Sequence, residues 1–103
     1  MLSKQRKLTD LVSVGPAMER DFHLLGIKTV EQLKSKNAVT LYRALCAKKG
    51  PVDICCQDVF QAAIMQAKYQ NLTREKRNWW FWSQKRKQTL NRVKWLILLD
   101  KES

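Results

Sequence analysis

The stretch that decides the fold runs from Leu8 to Leu33 and reads LTDLVSVGPAMERDFHLLGIKTVEQL. A short apolar segment leads to Gly15 and Pro16, and a helical pattern follows, with Phe22 and Leu25 on one face. Pro16 suits the first turn of a helix because its missing N–H has no partner there. We therefore predict a helical hairpin whose turn leaves backbone N–H groups available to bind a phosphate.

The residues at the turns agree with this prediction. Gly15 is expected to take a positive φ or to allow another backbone to approach closely. Gly26 stands where a left-handed glycine commonly ends a helix. Thr29 and Gln32 are three residues apart and predict a capping box for the next short helix. The hairpin is therefore expected to be followed directly by another helix.

The remaining chain predicts more helices and no strand, because it lacks alternating patterns and hairpin dipeptides. The fold class is therefore all-α, a compact helix-hairpin-helix bundle of about five helices plus an amphipathic C-terminal helix. Residues 1–83 form the predicted domain with a Trp-rich closing segment, and residues 84–103 form the basic C-terminal helix. The predicted elements are helices over Ser3–Leu11, Pro16–Leu25 and Thr29–Lys34, helices capped by Asn37 and Asp53, a charged linker Asn71–Asn78 and a helix Gln84–Leu99.

The chain is strongly basic. Its 103 residues include 20 Lys and Arg against 9 Asp and Glu, which gives a net charge of +11. From Lys68 onward ten basic residues face only three acidic ones, so this third carries +7 of the excess. The charge favours an anionic partner, which is nucleic acid, an acidic protein surface or an anionic membrane.

The hairpin sequence resembles a known motif. The segment Leu11–Pro16 resembles the helix-hairpin-helix of DNA repair and recombination proteins, and Leu25–Leu33 resembles its continuation. That motif usually carries glycine at the position of Ser13 and alanine at the position of Glu19. With further residues, the chain resembles the small bacterial pathogenicity locus family, also labelled mitomycin resistance. It resembles more loosely the C-terminal domain of TfoX-type competence regulators. The further residues are Leu41, Tyr42, Leu45, Cys46, Pro51–Asp53, Cys55, Asp58–Phe60, Trp79, Trp80 and Trp82.

This resemblance implies sequence-independent DNA binding without catalysis. Backbone N–H groups of Val14, Gly15 and Ala17 are expected to face a phosphate, and Lys4, Arg6 and Lys7 are expected to add local charge. The alternative is an adaptor that uses the same hairpins for protein interaction or dimerisation. The predicted DNA-binding residues are Ser13, Val14, Gly15, Pro16, Ala17, Arg20, Lys28, Lys85, Arg86 and Lys87.

Two apolar segments leave alternatives open. The aromatic run Trp79–Trp82 is able either to stack on unpaired bases or to cover the open end of a small core, and we favour the core. The tail carries Leu90 and Val93 at helical spacing beside basic residues. We expect it to pack on its own core or on a second copy as a homodimer; a membrane surface or a DNA duplex is the other possibility.

Catalytic chemistry is not indicated, and no cofactor or metal is predicted. His23 is the only histidine, and no paired carboxylates, glycine-rich nucleotide loop or nucleophile motif occurs. Cys46, Cys55 and Cys56 lack metal-ligand spacing; Cys55, near a helix start, is either a low-pKa thiol or, as we favour, a small buried hydrophobe. A cytoplasmic protein is expected, because no secretory signal is visible and the apolar run Trp95–Leu99 is too short to span a bilayer.

Overall fold

The computed structural model describes the backbone of residues 6–102 and the side chains of residues 6–90. Within these residues the chain is all-α, as predicted, and a 3-10 turn at Leu8–Asp10 precedes the first helix. The helices are α1 (Pro16–Leu24), α2 (Val30–Leu33), α3 (Ala38–Lys49), α4 (Cys55–Lys68), α5 (Arg74–Arg77) and α6 (Trp79–Glu102).

The predicted boundaries around α1, α2 and the start of α3 are confirmed. Gly26 takes a φ of 82° after α1, as expected of a C-terminal glycine. Thr29 Oγ1 accepts the Gln32 N–H at 3.3 Å, and Gln32 Oε1 accepts the Thr29 N–H at 3.1 Å, which completes the capping box. Asn37 Oδ1 accepts the N–H of Thr40 at 3.1 Å and caps α3. Short-range hydrogen bonds thus fix the starts of α2 and α3.

Other predicted elements differ from the structure. The first predicted helix, Ser3–Leu11, reduces within the described residues to the 3-10 turn, and residues 1–5 lie outside the description. Asp53 accepts the Cys55 N–H at 2.9 Å, but α4 starts only after Ile54. The predicted linker Asn71–Asn78 contains the short helix α5.

The C-terminal helix also starts earlier than predicted. The predicted helix Gln84–Leu99 lies inside α6, which begins at Trp79, so the boundary between residues 83 and 84 falls within one continuous helix. Trp82 Nε1 donates to the carbonyl oxygen of Lys76 at 2.7 Å, which ties the first turn of α6 back to α5. The aromatic run therefore belongs to the helix and does not precede it.

The core surrounds α4, which packs on α2, α3, α5 and α6. Phe22 of α1 meets Phe60 of α4, with ring centroids 5.2 Å apart and an interplanar angle of 45°. The largest fully buried side chains are Phe22, Phe60, Ile27, Leu33 and Leu45.

Helix α6 lies antiparallel to α4. Arg77, just before α6, reaches Gln66 near the end of α4, whereas Arg86 reaches Asp58 near its start. The long axis of the molecule is 60 Å, against 33 and 20 Å for the others. Among the described residues, no helix has the length and apolarity needed to cross a membrane. The predicted apolar face beyond Leu90 falls on side chains outside the described residues.

Candidate nucleic-acid interface

The turn between Leu11 and Pro16 has its left-handed residue at Ser13. Ser13 takes a φ of 75°, a conformation that residues other than glycine seldom adopt. Gly15, which we expected to be the special residue, has extended backbone with φ −96° and ψ −175°. The helix-hairpin-helix motif usually carries glycine at the position of Ser13, because glycine adopts a positive φ without steric cost. This chain has a serine there.

Backbone N–H groups remain open on one side of the turn. Gly15 is the N-cap of α1 but supplies no side-chain hydrogen bond, so the first-turn donors of α1 have no cap. In the backbone of residues 6–102 and the side chains of residues 6–90, no acceptor binds the N–H groups of Gly15 and Ala17, and both residues are exposed. The Glu19 side chain makes no hydrogen bond to them within that range. An anion therefore has access to these donors.

Val14 does not fit its predicted role. Its N–H donates to the carbonyl oxygen of Leu11 at 3.2 Å, and its side chain is buried in the core. The N–H is already used in closing the turn, so it is not available to a phosphate. The predicted set of open donors is corrected to the amides that follow Val14.

Gln66 of α4 holds the hairpin in place. Its Oε1 accepts the Val12 N–H at 2.9 Å, and its Nε2 donates to the Val12 carbonyl oxygen at 3.1 Å. The same Nε2 lies 3.2 Å from the carbonyl oxygens of Ala62 and Arg77. The Gln66 side chain is buried, so these bonds form away from water and specify one position for the turn.

One further bond, together with those of Gln66, brings α5 and α6 to the hairpin. Ser13 Oγ accepts the N–H of Trp79, the first residue of α6, at 3.4 Å. Gln66 joins the carbonyl oxygens of Val12 and Arg77, so the end of α5 lies beside the turn. The hairpin, α5 and the start of α6 therefore form one surface, which we call the hairpin surface (Val12–Ala17, Arg74–Trp80).

The hairpin surface carries basic residues that the sequence interpretation assigned to a linker. Arg74, Lys76 and Arg77 are all exposed on α5, where Glu75 is the only acidic residue. Arg77 Nε donates to the Leu72 carbonyl oxygen at 2.8 Å, which orders its guanidinium. The run of basic residues was visible in the sequence, but its place beside the turn depends on Gln66, 11 residues earlier.

The predicted basic residues near the hairpin are distributed unevenly. Arg20 is exposed on α1, close to the turn. Lys28 is exposed beyond the far end of α1, about 13 Å along the axis of a nine-residue helix. The Arg6 guanidinium caps the end of α4, with Nη1 2.8 Å from the Gln66 carbonyl oxygen. Lys7 is exposed, and Lys4 lies outside the described residues.

The three predicted basic residues on α6 have different environments. Arg86 makes a two-pronged ion pair with Asp58, with Nε–Oδ1 and Nη2–Oδ2 distances of 3.0 and 3.1 Å, which raises the pKa of Arg86. Lys85 lies over the Phe81 ring, 5.6 Å from its centroid. Lys87 is exposed, about 12 Å along α6 from Trp79. Arg86 therefore serves the fold, and only Lys85 and Lys87 remain open to solvent.

The four aromatic residues at the start of α6 divide into two pairs. Phe81 and Trp82 are half-buried and pack edge to face, with ring centroids 5.0 Å apart. Trp79 and Trp80 are 38% and 43% exposed, unusual for the largest aromatic side chain. The first pair is thus half-buried against itself, neither pair belongs to the described core cluster, and the second pair leaves an aromatic surface at the start of α6.

A second surface feature is a groove between α3, α4 and α6, with a volume of about 540 Å³. Val39 and Leu90 are exposed apolar residues in its lining, and the Asp58–Arg86 ion pair also borders it. Asp58 is 3% exposed at its side chain, whereas Arg86 is 24% exposed. The Asp58 and Arg86 charges in this groove therefore neutralise each other, and Lys85 is the remaining charged residue in its described lining.

The cysteines show no sign of activation. Cys46, Cys55 and Cys56 are free thiols. The hydrogen bond to Asp53 raises the pKa of Cys55, and burial raises the pKa of Cys56. A lowered pKa at Cys55, which its place near a helix start allowed, is therefore wrong. His23 is exposed on α1, and within the described residues no group of three potential ligands is placed to hold a metal ion.

Comparisons with known proteins agree on one family. The model of a family described as pathogenicity locus matches residues 2–88 of this chain. A mitomycin resistance protein, McrB of Streptomyces lavendulae, is 34% identical over 84 residues, which cover 81% of this chain and 76% of that protein. No solved structure matches the chain significantly. The matched residues include the hairpin surface and the groove between α3, α4 and α6 up to Arg86.

Proposed function

The chain belongs to the pathogenicity locus family, and we propose that it is a non-enzymatic protein that binds DNA through the phosphate backbone without reading sequence. The observation that carries the proposal is the pair of N–H groups of the exposed residues Gly15 and Ala17, which have no acceptor in the backbone of residues 6–102 or the side chains of residues 6–90. A DNA phosphate satisfies such donors at the start of a helix. This role implies a cytoplasmic location, as expected from the sequence.

The shape of the turn supports a helix-hairpin-helix contact. The left-handed residue Ser13 reverses the chain, and extended Gly15 then leads into α1. A side chain at Gly15 would extend into open space, because no atom lies within 4 Å of its Cβ position. The backbone at Gly15 is therefore accessible to a bulky ligand such as a duplex strand.

Charge on the same surface supports an anionic ligand. The aligned peptide dipoles give the start of α1 a partial positive charge. Arg74, Lys76 and Arg77 are exposed on α5, whose last residue is joined to the Val12 backbone through Gln66, and Arg20 is exposed on α1. These cations add electrostatic attraction for a phosphate backbone that reaches the open amides.

Salt titration of DNA binding tests this proposal. The purified chain is titrated with two labelled duplexes of unrelated sequence, and fluorescence anisotropy gives Kd at several salt concentrations. We expect equal affinities within about threefold and a logarithmic salt slope of about −0.9 for each phosphate neutralised. The double variant Arg74→Ala, Lys76→Ala should make that slope shallower by about 2. Strong preference for one sequence, or absence of binding at low salt, contradicts the proposal.

The groove favours a second candidate function, which is an adaptor for protein interaction or homodimerisation. Val39 and Leu90 expose apolar surface in a groove whose charged residues are mostly paired, a pattern typical of protein contacts. Sedimentation velocity of the wild type and of Val39→Ser, Leu90→Ser distinguishes the two functions. A dimer lost in the variant, without DNA affinity in either protein, decides for the adaptor.

A further inference from the structure

Trp79 and Trp80 are the least explained residues of the hairpin surface. Large aromatic side chains usually lie in the core or cover it, yet these two are 38% and 43% exposed. Neither belongs to the hydrophobic core cluster of the described residues. Their neighbours Phe81 and Trp82 are held by a mutual edge-to-face contact and by the Trp82–Lys76 hydrogen bond. The exposed pair therefore keeps part of each indole ring open to solvent.

The position of this pair relative to the open amides is fixed. The Trp79 N–H donates to Ser13 Oγ at 3.4 Å, so the first turn of α6 touches the hairpin. Gly15 is two residues from Ser13, which places its Cα within about 8 Å of that of Ser13. Trp79 and Trp80 are separated by about 100° around α6 and offer two ring faces in different directions.

We propose that Trp79 and Trp80 form a stacking site for unpaired bases, so that the preferred ligand is duplex DNA with an adjoining single strand. The inference rests on the proposed function, because the hairpin amides hold the duplex backbone. A single strand leaving that duplex passes the first turn of α6, where its bases meet the two indole rings. Aromatic side chains beside cationic residues are the usual arrangement for binding single strands.

Charge argues for nucleic acid over a second copy of the chain as the occupant. Three exposed basic residues, Arg74, Lys76 and Arg77, precede the tryptophans, against the single acidic residue Glu75. The whole chain carries +11, so two copies that meet at this face repel each other. A strand of phosphates instead neutralises these cations while its bases cover the apolar rings.

The test compares three ligands for the full chain: a blunt duplex, the same duplex with an eight-nucleotide single-stranded tail, and the single strand alone. We expect the wild type to bind the tailed duplex about 10-fold more tightly than the blunt one, within the range that base stacking on aromatic side chains supplies. In Trp79→Ala, Trp80→Ala the preference for the tailed over the blunt duplex should fall below about twofold.

Two further variants make the result specific. Trp79→Phe, Trp80→Phe keeps a ring face at each position and should retain most of the preference. Leu24→Ala removes another exposed apolar side chain, at the far end of α1, and should leave it unchanged. Circular dichroism and thermal melts verify that every variant folds.

The possible failures are distinguishable. If wild-type protein binds tailed and blunt duplexes equally, the stacking site is wrong while the proposed DNA binding stands. If none of the ligands binds at low salt, the proposed function itself is wrong. If the alanine variant loses self-association and keeps its preference for the tailed duplex, the tryptophans are a protein contact and the inference is overturned.

Discussion

The hairpin surface and the groove between α3, α4 and α6 differ in whether their polar groups have partners within the protein. In the groove, the buried Asp58 carboxylate is matched by the Arg86 guanidinium, so charge is neutralised inside the protein. On the hairpin surface, the amides of Gly15 and Ala17 and the cations of α5 have no carboxylate partner among the side chains of residues 6–90. The comparison shows that polar groups are satisfied where the fold depends on them and left open where a ligand is proposed.

The largest expected effect lies in the groove. Arg86→Met should lower the free energy of unfolding by about 3 kcal/mol, because it leaves the Asp58 carboxylate buried without its cation. Lys87→Met, one residue further along the exposed part of α6, is the control and should change stability by less than about 0.5 kcal/mol. Urea unfolding measures both. Equal stabilities would mean that the ion pair is not part of the structure in solution.

The second-largest loss of stability is expected at Gln66, which holds the hairpin in place. Gln66→Met removes the bonds to the Val12 backbone and to the Arg77 carbonyl oxygen, and should cost about 2 kcal/mol. Unlike Arg86→Met, it should also weaken duplex binding, since the turn loses its fixed position. Gln61→Met on the same helix is the matched control. A Gln66 variant with wild-type affinity would show that the turn is positioned by other contacts.

Arg86 and Gln66 also show which contacts the sequence alone does not predict. The caps at Thr29 and Asn37 and the stop at Gly26 depend on residues three or four apart, and all three were predictable. Gln66 and Val12 are 54 residues apart, and Asp58 and Arg86 are 28 apart. Their partners become visible only when the helices are packed together, because the local pattern of α4 does not distinguish a buried glutamine from a surface one.

The same reasoning explains the incomplete prediction of the site. Ser13, Gly15 and Ala17 were found because the turn is a local motif. The basic residues of α5 were assigned to a linker, since only the Gln66–Arg77 bond brings them to the turn. Lys28 was included because it is near the motif in sequence, although the length of α1 separates it from Gly15 in space.

A smaller change in stability distinguishes the steric cost of the positive φ at Ser13 from the hydrogen bond that its side chain accepts. Ser13→Ala keeps the left-handed conformation and loses the hydrogen bond from the Trp79 N–H, so it should destabilise the protein by about 1 kcal/mol. Ser13→Gly loses the same bond but removes the steric cost of a positive φ, and should be nearly neutral. Denaturant unfolding of the pair measures the difference. If alanine is the more stable of the two, the strain argument is wrong.

The smallest effect concerns the thiols of α4, away from the hairpin surface. The raised pKa values of Cys55 and Cys56 mean that the fold favours the neutral thiols. The resulting stabilisation is fully present below the unfolded-state pKa of 9.0 and is lost as pH rises through the higher folded-state pKa. Iodoacetamide should therefore label the folded chain more slowly at pH 8 than the unfolded chain, with Cys55→Ser and Cys56→Ser identifying each site. Faster labelling of the folded chain would contradict this pKa assignment.

The central claim is that the open amides at the start of α1 receive a DNA phosphate. Gly15→Asp tests it, because an aspartate at the N-cap supplies its own carboxylate to these amides. We expect unfolding free energy to stay the same or rise by up to about 1 kcal/mol, while duplex affinity falls 10-fold or more. Gly15→Ala, which the extended backbone accepts, should bind as the wild type does. Unchanged affinity in a stable Gly15→Asp variant would show that the hairpin does not contact DNA.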